Sequence, residues 1–334
     1  MQKVSRLLPL ALVVLLSSCS SGVQPTSKTL FLFDTSINMT SMDATEEDFD
    51  KLTKILEKYD AVSDNFKARD VFNVFSWKDT EEKVYCGHEE GQAPIELLYM
   101  VYAVQQAKLA AAHHFDIRLG SLINKWKEAE KKGEVLSESV INEELEKRNA
   151  SSYMLSYDKE TDSGYIQQNG VEAFDFGAVA KGCALDACKE YLDTREEIKD
   201  YIIDAGSSSI LLGKSSRNKD ANNINYRIKI KDLNNSSFLA HDCFISTSGI
   251  SEQGVTINGV RYSHIINPHD GSAVTNYDAI IVISDNGAFG DIYSTSMMFN
   301  TIEEIKQIEQ NHNFKTIVIK DKRIVYKNQG INLD

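Results

Sequence analysis

Hydrophobic and polar positions follow two different periods along this chain, and the periods predict its helices and strands. Apolar residues alternate over residues 30–37, which predicts a strand. A helix should follow a capping pattern formed by Thr45 and Asp48. Its apolar positions recur at helical spacing, at Phe49, Leu52, Ile55, Leu56 and Tyr59. A second helix is expected from Pro94, which suits a first helical turn, to residues 113–114.

The rest of the chain mixes short apolar runs with helical patterns. Residues 127–139 form a surface segment rich in lysine and glutamate, and helices are expected at 140–147, from the 174–186 turn to residue 192, from 291 onward and at 302–310. Strands are expected at 153–157, 165–168, 201–204, 226–230, 244–246, 255–257, 262–266, 277–283, 316–319 and 324–326. Because the two element types do not alternate regularly and hairpin-length spacings dominate, the pattern favours an α+β fold with mainly antiparallel sheet.

The first residues have the features of an export leader. Lys3 and Arg6 precede an apolar run at residues 7–16, which is too short to span a bilayer. The run closes with Leu-Ser-Ser-Cys at residues 16–19, which resembles the bacterial lipobox. In that motif the leader is cut before the cysteine, and the cysteine carries lipid.

The lipobox predicts three segments. Residues 1–18 are a lipoprotein leader, residues 19–28 are the lipidated Cys19 with a flexible serine-rich tether, and residues 29–334 are the folded domain. The protein would then be anchored by lipid to the extracytoplasmic face of a cell membrane. An ordinary signal peptide with an incidental cysteine is the alternative.

Charge and cysteine content exclude several classes. The formal net charge is −13, and removal of the leader takes away Lys3 and Arg6, so the mature charge is −13 − 2 = −15. This acidity argues against nucleic-acid binding and against membrane binding through a polybasic segment. The cysteines after Cys19 are scattered without C-x-x-C spacing, so neither a zinc site nor a disulfide framework is indicated.

The stretch at residues 174–186 is a candidate anion site. It passes from extended chain into a helix around two glycines, and Lys181 lies in the first helical turns. Free backbone N–H groups and the dipole at a helix start favour an anionic ligand such as a phosphate. The alternative is a tight connection with a solvated lysine, since the stretch lacks the K-[ST] of a P-loop.

Three later stretches also carry polar chemistry. Residues 246–249 form a hydroxyl-rich turn at a strand end, which could hold a polar ligand or cap a loop. Residues 264–271 place His264 before a turn, where it could accept a proton near neutral pH or be structural. Asp291 and Thr295 share one helix face and suit Mg²⁺, or else are a helix cap and a surface threonine.

Together with the lipobox, these motifs resemble the FAD:protein FMN transferase (ApbE) family, from about residue 30 to residue 326. They are H-F-D-I-R-L-G-S-L-I-N-K-W at 114–126, F-D-F-G-A-V-A-K-G-C-A-L-D at 174–186, D-A-G-S-S-S at 204–209, S-T-S-G at 246–249, H-I-I-N-P-H-D-G at 264–271 and D-I-Y-S-T-S at 291–296. The resemblance implies a two-lobed fold and a Mg²⁺-dependent enzyme outside the cytoplasm. Such an enzyme moves the FMN half of FAD onto a threonine or serine of an acceptor flavoprotein and releases AMP.

The resemblance also assigns roles to residues. Its FAD-contacting positions are matched or neighboured by His114, Phe115, Asp116, Asp175, Lys181 and Ile266. The metal would be bound by the backbone carbonyl of Ala178 and the side chains of Asp291 and Thr295. His264 matches the histidine proposed to activate the acceptor hydroxyl.

Several positions depart from the family pattern. His114 replaces a small residue, residues 207–208 replace a Gly-Asn-like pair, residues 250–253 lack the usual aromatic and arginine, and Asp270 stands where threonine is common. Two alternatives stay open beside transfer. One is an FAD pyrophosphatase that makes FMN and AMP, and the other is a non-catalytic FAD-binding surface lipoprotein.

We predict that Cys19→Ala releases the protein from membranes or leaves the precursor uncut, because lipidation and cleavage both require this thiol. Membrane fractionation and electrophoretic mobility of the wild type and the variant measure the effect. Unchanged partition and mobility would contradict the lipobox interpretation.

Overall fold

The computed structural model describes residues 12–15, 24–63, 83–218, 220, 222–231, 233, 236–250, 254–257 and 260–334. The predicted cleavage site and Cys19 lie outside these residues. No helix within the described ranges is long and apolar enough to cross a membrane.

The described strands are numbered in chain order. They are β1 (Leu12–Leu15), β2 (Thr26–Leu32), β3 (Thr35–Ser41), β4 (Lys83–Gly87), β5 (Ala93–Pro94), β6 (Ser152–Asp158), β7 (Ser163–Asn169), β8 (Tyr201–Ala205), β9 (Ser209–Leu212), β10 (Tyr226–Ile230), β11 (Ser237–Ala240), β12 (Cys243–Gly249), β13 (Gly254–Ile257), β14 (Val260–Ser263), β15 (Ala279–Ser284), β16 (Phe314–Lys320) and β17 (Arg323–Lys327).

The described α-helices are numbered in the same way. They are α1 (Glu46–Ser63), α2 (Ile95–Ala110), α3 (Gly120–Lys132), α4 (Glu138–Ala150), α5 (Ala180–Asp193), α6 (Gly287–Ser296) and α7 (Ile302–Asn311). Short 3-10 turns at Ile117–Leu119 and Met297–Phe299 precede α3 and follow α6.

One large antiparallel sheet organises the fold. Its eight strands run in the order β17-β16-β15-β12-β9-β8-β3-β2, and each neighbouring pair is antiparallel. A second sheet has the order β5-β4-β7-β6, a third joins β1, β10 and β11, and β13 pairs with β14. The expectation of an α+β fold with mainly antiparallel sheet is therefore confirmed.

The two faces of the large sheet bury different partners, because successive side chains of a strand point to opposite faces. Phe244 of β12 belongs to the core shared with α1, α2, α5 and α6. Its neighbour Ile245 lies on the other face, in a second cluster with residues of β10 and β11. This two-sided burial explains why the central strands are apolar with little alternation.

A small third cluster holds the α3 and α4 hairpin. It contains Leu119, Leu122, Leu145 and Ile266, all buried. Ile266 comes from the 264–271 run, so that run is seated on the helical hairpin. This packing places the run beside the loop that precedes α3.

Three sequence expectations are wrong in detail. Residues 30–37 are not one strand but parts of β2 and β3, because Phe33 and Asp34 adopt positive φ angles of 53° and 55° and close a two-residue hairpin. The segment expected at the surface after residue 126 begins with the second half of α3, a helix that was not predicted because its buried Leu122 and Ala129 lie seven residues apart among charged neighbours. Residues 246–249 are the end of β12 and not a turn.

Other expectations hold with shifted limits. The helix expected from Asp291 begins at Gly287, because Asn286 caps it by accepting a hydrogen bond from Phe289 N at 2.8 Å. The strand expected at 262–266 ends at Ser263. Five short strands, β1, β4, β5, β9 and β11, are missing from the sequence prediction, because each has only two to five residues and shows no period of its own.

The sheet packing predicts a contrast between two phenylalanines. Phe244→Ala should lower the free energy of unfolding by about 3–5 kcal/mol, since the ring is buried between β12 and the helices. Phe31→Ala, on the edge strand β2, should change it by less than about 0.5 kcal/mol because that ring is 72% exposed. Urea denaturation measures both. Equal losses would contradict this packing.

Candidate active site

Helices α5 and α6 meet at two glycines near their N-terminal ends. A Cβ atom on Gly287 would lie 2.6 Å from the Gly182 carbonyl oxygen, and a Cβ on Gly182 would overlap the Gly287 carbonyl oxygen. Only glycine permits the two backbones to come this close. The first turns of α5 and α6 are therefore in direct backbone contact.

Each helix then sends a carboxylate to the first turn of the other. Asp186 of α5 accepts hydrogen bonds from Gly287 N at 2.6 Å and Ala288 N at 2.8 Å. Asp291 of α6 accepts one from Gly182 N at 2.8 Å. We call this arrangement of Gly182, Asp186, Gly287 and Asp291 the helix clasp. It satisfies N–H groups that a helix start leaves without an intrahelical partner.

Asp291 also accepts bonds from the sheet. Its other carboxylate oxygen accepts from Ser209 Oγ at 2.8 Å and from Ser246 Oγ at 2.7 Å. The two serines face each other across β9 and β12, which explains why both reach the same oxygen. Asp291 is thus fixed by two helices and two strands.

A second group of hydroxyls, beyond those of Ser209 and Ser246, lies one helical turn further along α6. Ser248 Oγ is 2.8 Å from Thr295 Oγ1 and 2.9 Å from Ser294 Oγ. Ser248 follows Ser246 by two residues in β12, so both point toward α6. Asp291 and Thr295 therefore share one face of α6, as the sequence predicted, and this face looks onto the serines of β12.

Burial dominates the electrostatics of the clasp. It raises the pKa of the Asp291 carboxyl, while the charge of Lys181 and the serine hydroxyls oppose the rise. Burial also raises the pKa of Asp186 to about 7, against the two amides that it accepts from. Buried carboxyls of this kind gain from a nearby cation, because a cation stabilises the charged form.

The turn before α5 is closed by its own hydrogen bonds, because Val179 N and Ala180 N both donate to Phe176 O, at 3.0 and 2.9 Å. Asp175 N donates to Ile117 O at 2.7 Å, and the Asp175 carboxylate accepts from Gly177 N at 3.0 Å. Lys181 lies in the first turn of α5 and is half-buried. Burial raises the pKa of Asp175, and the charges of Lys127 and Lys181 oppose this rise.

The site offers oxygen atoms of the kind that Mg²⁺ prefers. Gly182 is the third residue of α5, so its amide has no partner within the helix and donates to Asp291 instead. The Ala178 carbonyl, the Asp291 carboxylate and the Thr295 hydroxyl are all oxygen donors, and Mg²⁺ takes one or two carboxylates with water and other oxygens. Within the described residues, no three His, Cys, Asp or Glu side chains gather as a metal site.

The loop at residues 114–116 joins the end of α6 to the helical hairpin. His114 N donates to Ser296 Oγ at 3.2 Å, and the His114 ring lies 5.7 Å from that of Phe299 and 4.9 Å from that of His269. Phe115 is buried. The loop is therefore hydrogen-bonded to Ser296, the residue that follows Thr295 in α6.

Asp116 is engaged in an internal ion cluster. Its carboxylate accepts from Arg118 Nε at 2.9 Å and from a terminal Arg118 nitrogen at 2.6 Å, with Lys108 and Arg148 each at 3.5 Å. Arg148 in turn donates to the Pro268 carbonyl. The Asp116 side chain thus holds the 114–118 loop and the 264–271 run together, and its predicted contact with FAD stays a prediction.

The 264–271 run exposes one predicted residue and buries another. The His264 side chain is exposed directly after β14, whereas the Ile266 side chain is buried against the α3 and α4 hairpin. Gly271, with a φ angle of 69°, approaches α4 so closely that a Cβ atom there would overlap Ile141. The run is therefore anchored on the hairpin and presents His264 to solvent.

Comparison with known sequences identifies the family. A sequence model described as the ApbE family matches residues 33–318, which is more than half of the 334-residue chain. This chain belongs to the ApbE family. The match contains the helix clasp, the 114–118 loop and the 264–271 run.

Individual ApbE relatives are distant in sequence and similar in fold. A FAD:protein FMN transferase of Klebsiella pneumoniae (strain 342) is 26% identical over 224 residues, which cover 65% of this chain and 67% of that protein. One from Rhodobacter capsulatus is 31% identical over 134 residues, which cover 39% of this chain and only 24% of that protein. The structure of the flavin transferase ApbE from Vibrio cholerae matches with a TM-score of 0.69 at 18% identity, over 93% of this chain and 96% of that one. At this identity the structural match shows the fold.

Sequence reasoning about this ApbE-family chain missed three residues of the site. Ser209 and Ser246 hold Asp291, and Asp186 completes the helix clasp. The D-A-G-S-S-S and S-T-S-G motifs contain the two serines, but their pairing depends on the sheet register. The signal for Asp186 is a G-x-x-x-D spacing that occurs at the start of both α5 and α6.

We predict that Gly182→Ala lowers the free energy of unfolding by about 2 kcal/mol or more, because its methyl group would meet the backbone of α6. Gly330→Ala is the control, since a Cβ atom there meets the flexible end of Lys315 at 3.1 Å. Thermal and urea denaturation measure both variants. A Gly182→Ala protein as stable as the control would contradict the close approach of α5 and α6.

Proposed function

We propose that this chain is an FAD:protein FMN transferase that uses Mg²⁺, releases AMP and acts on acceptor flavoproteins outside the cytoplasm. The observation that carries the proposal is the position of Asp291. Its buried carboxylate touches the first turn of α5, the helix that also carries Lys181. A carboxylate suited to a cation and a lysine suited to an anion therefore lie at one helix start, a combination that a dinucleotide pyrophosphate with its metal would need.

The first turn of α5 would bind the pyrophosphate of FAD. A helix N-terminus favours negative charge, and Lys181 adds a full positive charge at the same end. The clasp would keep this turn and Asp291 in fixed relative positions during the reaction. When bound between Ala178, Asp291 and Thr295, Mg²⁺ would neutralise pyrophosphate charge as it does in other phosphoryl-transfer sites.

His264 would accept the proton of the acceptor hydroxyl. The hydroxyl oxygen forms a bond to the phosphorus of the FMN half, and the bond from that phosphorus to the bridging oxygen breaks. AMP leaves with the bridging oxygen and its electron pair, while the proton passes to the His264 imidazole. A threonine or serine hydroxyl is a weak nucleophile at neutral pH, so such a base contributes directly to the rate.

The exposure of His264 also favours a second candidate, FAD hydrolysis. Water could reach an exposed imidazole in place of an acceptor hydroxyl, and the same bond changes would give FMN and AMP. Transfer is the better proposal because the relatives named above carry the name of the transferase. A lipid anchor at Cys19 is part of the proposal and would hold the enzyme at the membrane surface.

One assay separates transfer, hydrolysis and binding. Purified protein is incubated with FAD, Mg²⁺ and a candidate acceptor flavoprotein, and AMP release is followed beside flavin fluorescence of the acceptor on a denaturing gel. Transfer gives AMP and a fluorescent acceptor, whereas hydrolysis gives AMP alone. FAD binding without AMP would contradict both catalytic proposals.

We predict that His264→Asn slows AMP release at saturating FAD by roughly 10²–10⁴-fold, the range of a general base, while FAD affinity changes little. FAD affinity is read from fluorescence quenching, and thermal stability is measured in parallel. Equal turnover with lower stability would make His264 a structural residue. A large loss of FAD affinity would make it a flavin ligand instead.

A further inference from the structure

The helix clasp is built from the same five-residue pattern twice. Gly182 and Asp186 in α5, and Gly287 and Asp291 in α6, are each separated by four residues, so each pair lies on one helix face. The glycines touch, and each aspartate reaches the N–H of the opposite glycine. The two halves of the clasp therefore share the glycine contact and a hydrogen bond from the opposite glycine amide to a carboxylate.

The two aspartates differ in their remaining contacts. Asp186 commits one oxygen to Gly287 N and the other to Ala288 N. Asp291 commits one oxygen to Gly182 N and shares the other between two serine hydroxyls, whose orientation can change when a cation binds. Both carboxylate oxygens of Asp186 thus accept hydrogen bonds from backbone amides, which cannot reorient. Asp291 is the aspartate of the clasp that is suited to bind a metal.

The contacts of Asp186 are at the start of the helix that carries the metal candidates. Gly287 and Ala288 are the first two residues of α6, and Asp291 and Thr295 follow on the same helix. Because an α-helix of this length moves as a rigid unit, a shift of its first turn moves both side chains. Mg²⁺ demands near-octahedral geometry, so a small displacement of these oxygens weakens its binding.

We propose that Asp186 is a positioning residue of the metal site, which holds α6 so that Asp291 and Thr295 face the first turn of α5. This inference rests on the proposed function, because it concerns the same metal. Asp186 itself binds no metal and no FAD; it acts through the backbone of α6.

The test measures Mn²⁺ binding directly, by electron paramagnetic resonance of the free ion, on full-length folded protein. Asp186→Asn keeps the size of the side chain but replaces one accepting oxygen with an NH₂ group. That group would face a backbone N–H of α6, and two donors cannot form a hydrogen bond. Asp186→Glu keeps the charge and displaces it by one methylene, and it serves as a second variant if the first folds poorly. Circular dichroism establishes that each protein is folded.

Asp43→Asn is a matched control. The Asp43 carboxylate also accepts from two consecutive backbone amides, those of Lys199 at 2.9 Å and Asp200 at 2.7 Å, but it connects the loop after β3 to the segment before β8. Loss of this contact should leave Mn²⁺ binding unchanged. The Asp43→Asn control therefore distinguishes a general loss of protein stability from a specific displacement of the metal-binding side chains.

We expect both Asp186 variants to raise the Mn²⁺ dissociation constant by about 10-fold or more, the usual effect of losing an outer-shell partner of a metal site. The Mg²⁺ concentration for half-maximal AMP release should rise by the same factor, and excess Mg²⁺ should restore turnover. Folded Asp186 variants with wild-type Mn²⁺ affinity, or an equal loss in Asp43→Asn, would overturn the inference. A wild-type protein that binds no Mn²⁺ would instead overturn the proposed metal site.

Discussion

The direct contact between the first turns of α5 and α6 is the constraint on which the rest of the site depends. Gly182 and Gly287 allow this contact, and Asp186 and Asp291 use it to satisfy backbone N–H groups that helix starts leave free. Since α5 begins at the candidate phosphate-binding turn and α6 carries the candidate metal ligands, one packing interaction sets the distance between the two kinds of charge.

The large sheet supplies the second half of this arrangement. Ser209 and Ser246 are cross-strand neighbours, and both donate to the buried Asp291 carboxylate. Burial disfavours the ionised form, and it raises the pKa of this carboxyl. A cation beside this buried carboxylate would stabilise its charged form, as Lys181 already does in part.

The sequence predicted elements with a clear period and missed those that depend on packing. The helical spacing of apolar residues around Phe49 predicted α1, and the hairpin-length spacings between strands predicted the α+β class. The start of α6 was missed because Gly287 has low helix propensity and its role exists only against Gly182. Asp291 was found by resemblance to a family motif, but the hydroxyls that hold it come from strands whose register no local pattern predicts.

A crystal structure of the protein with FAD and Mn²⁺, with anomalous scattering used to locate the metal, tests the central claim most directly. The account predicts one Mn²⁺ ion bound by the Asp291 carboxylate, the Thr295 hydroxyl and the Ala178 carbonyl at about 2.2 Å, with the FAD pyrophosphate at the first turn of α5 beside Lys181. A metal bound elsewhere, or a pyrophosphate away from the start of α5, would contradict it.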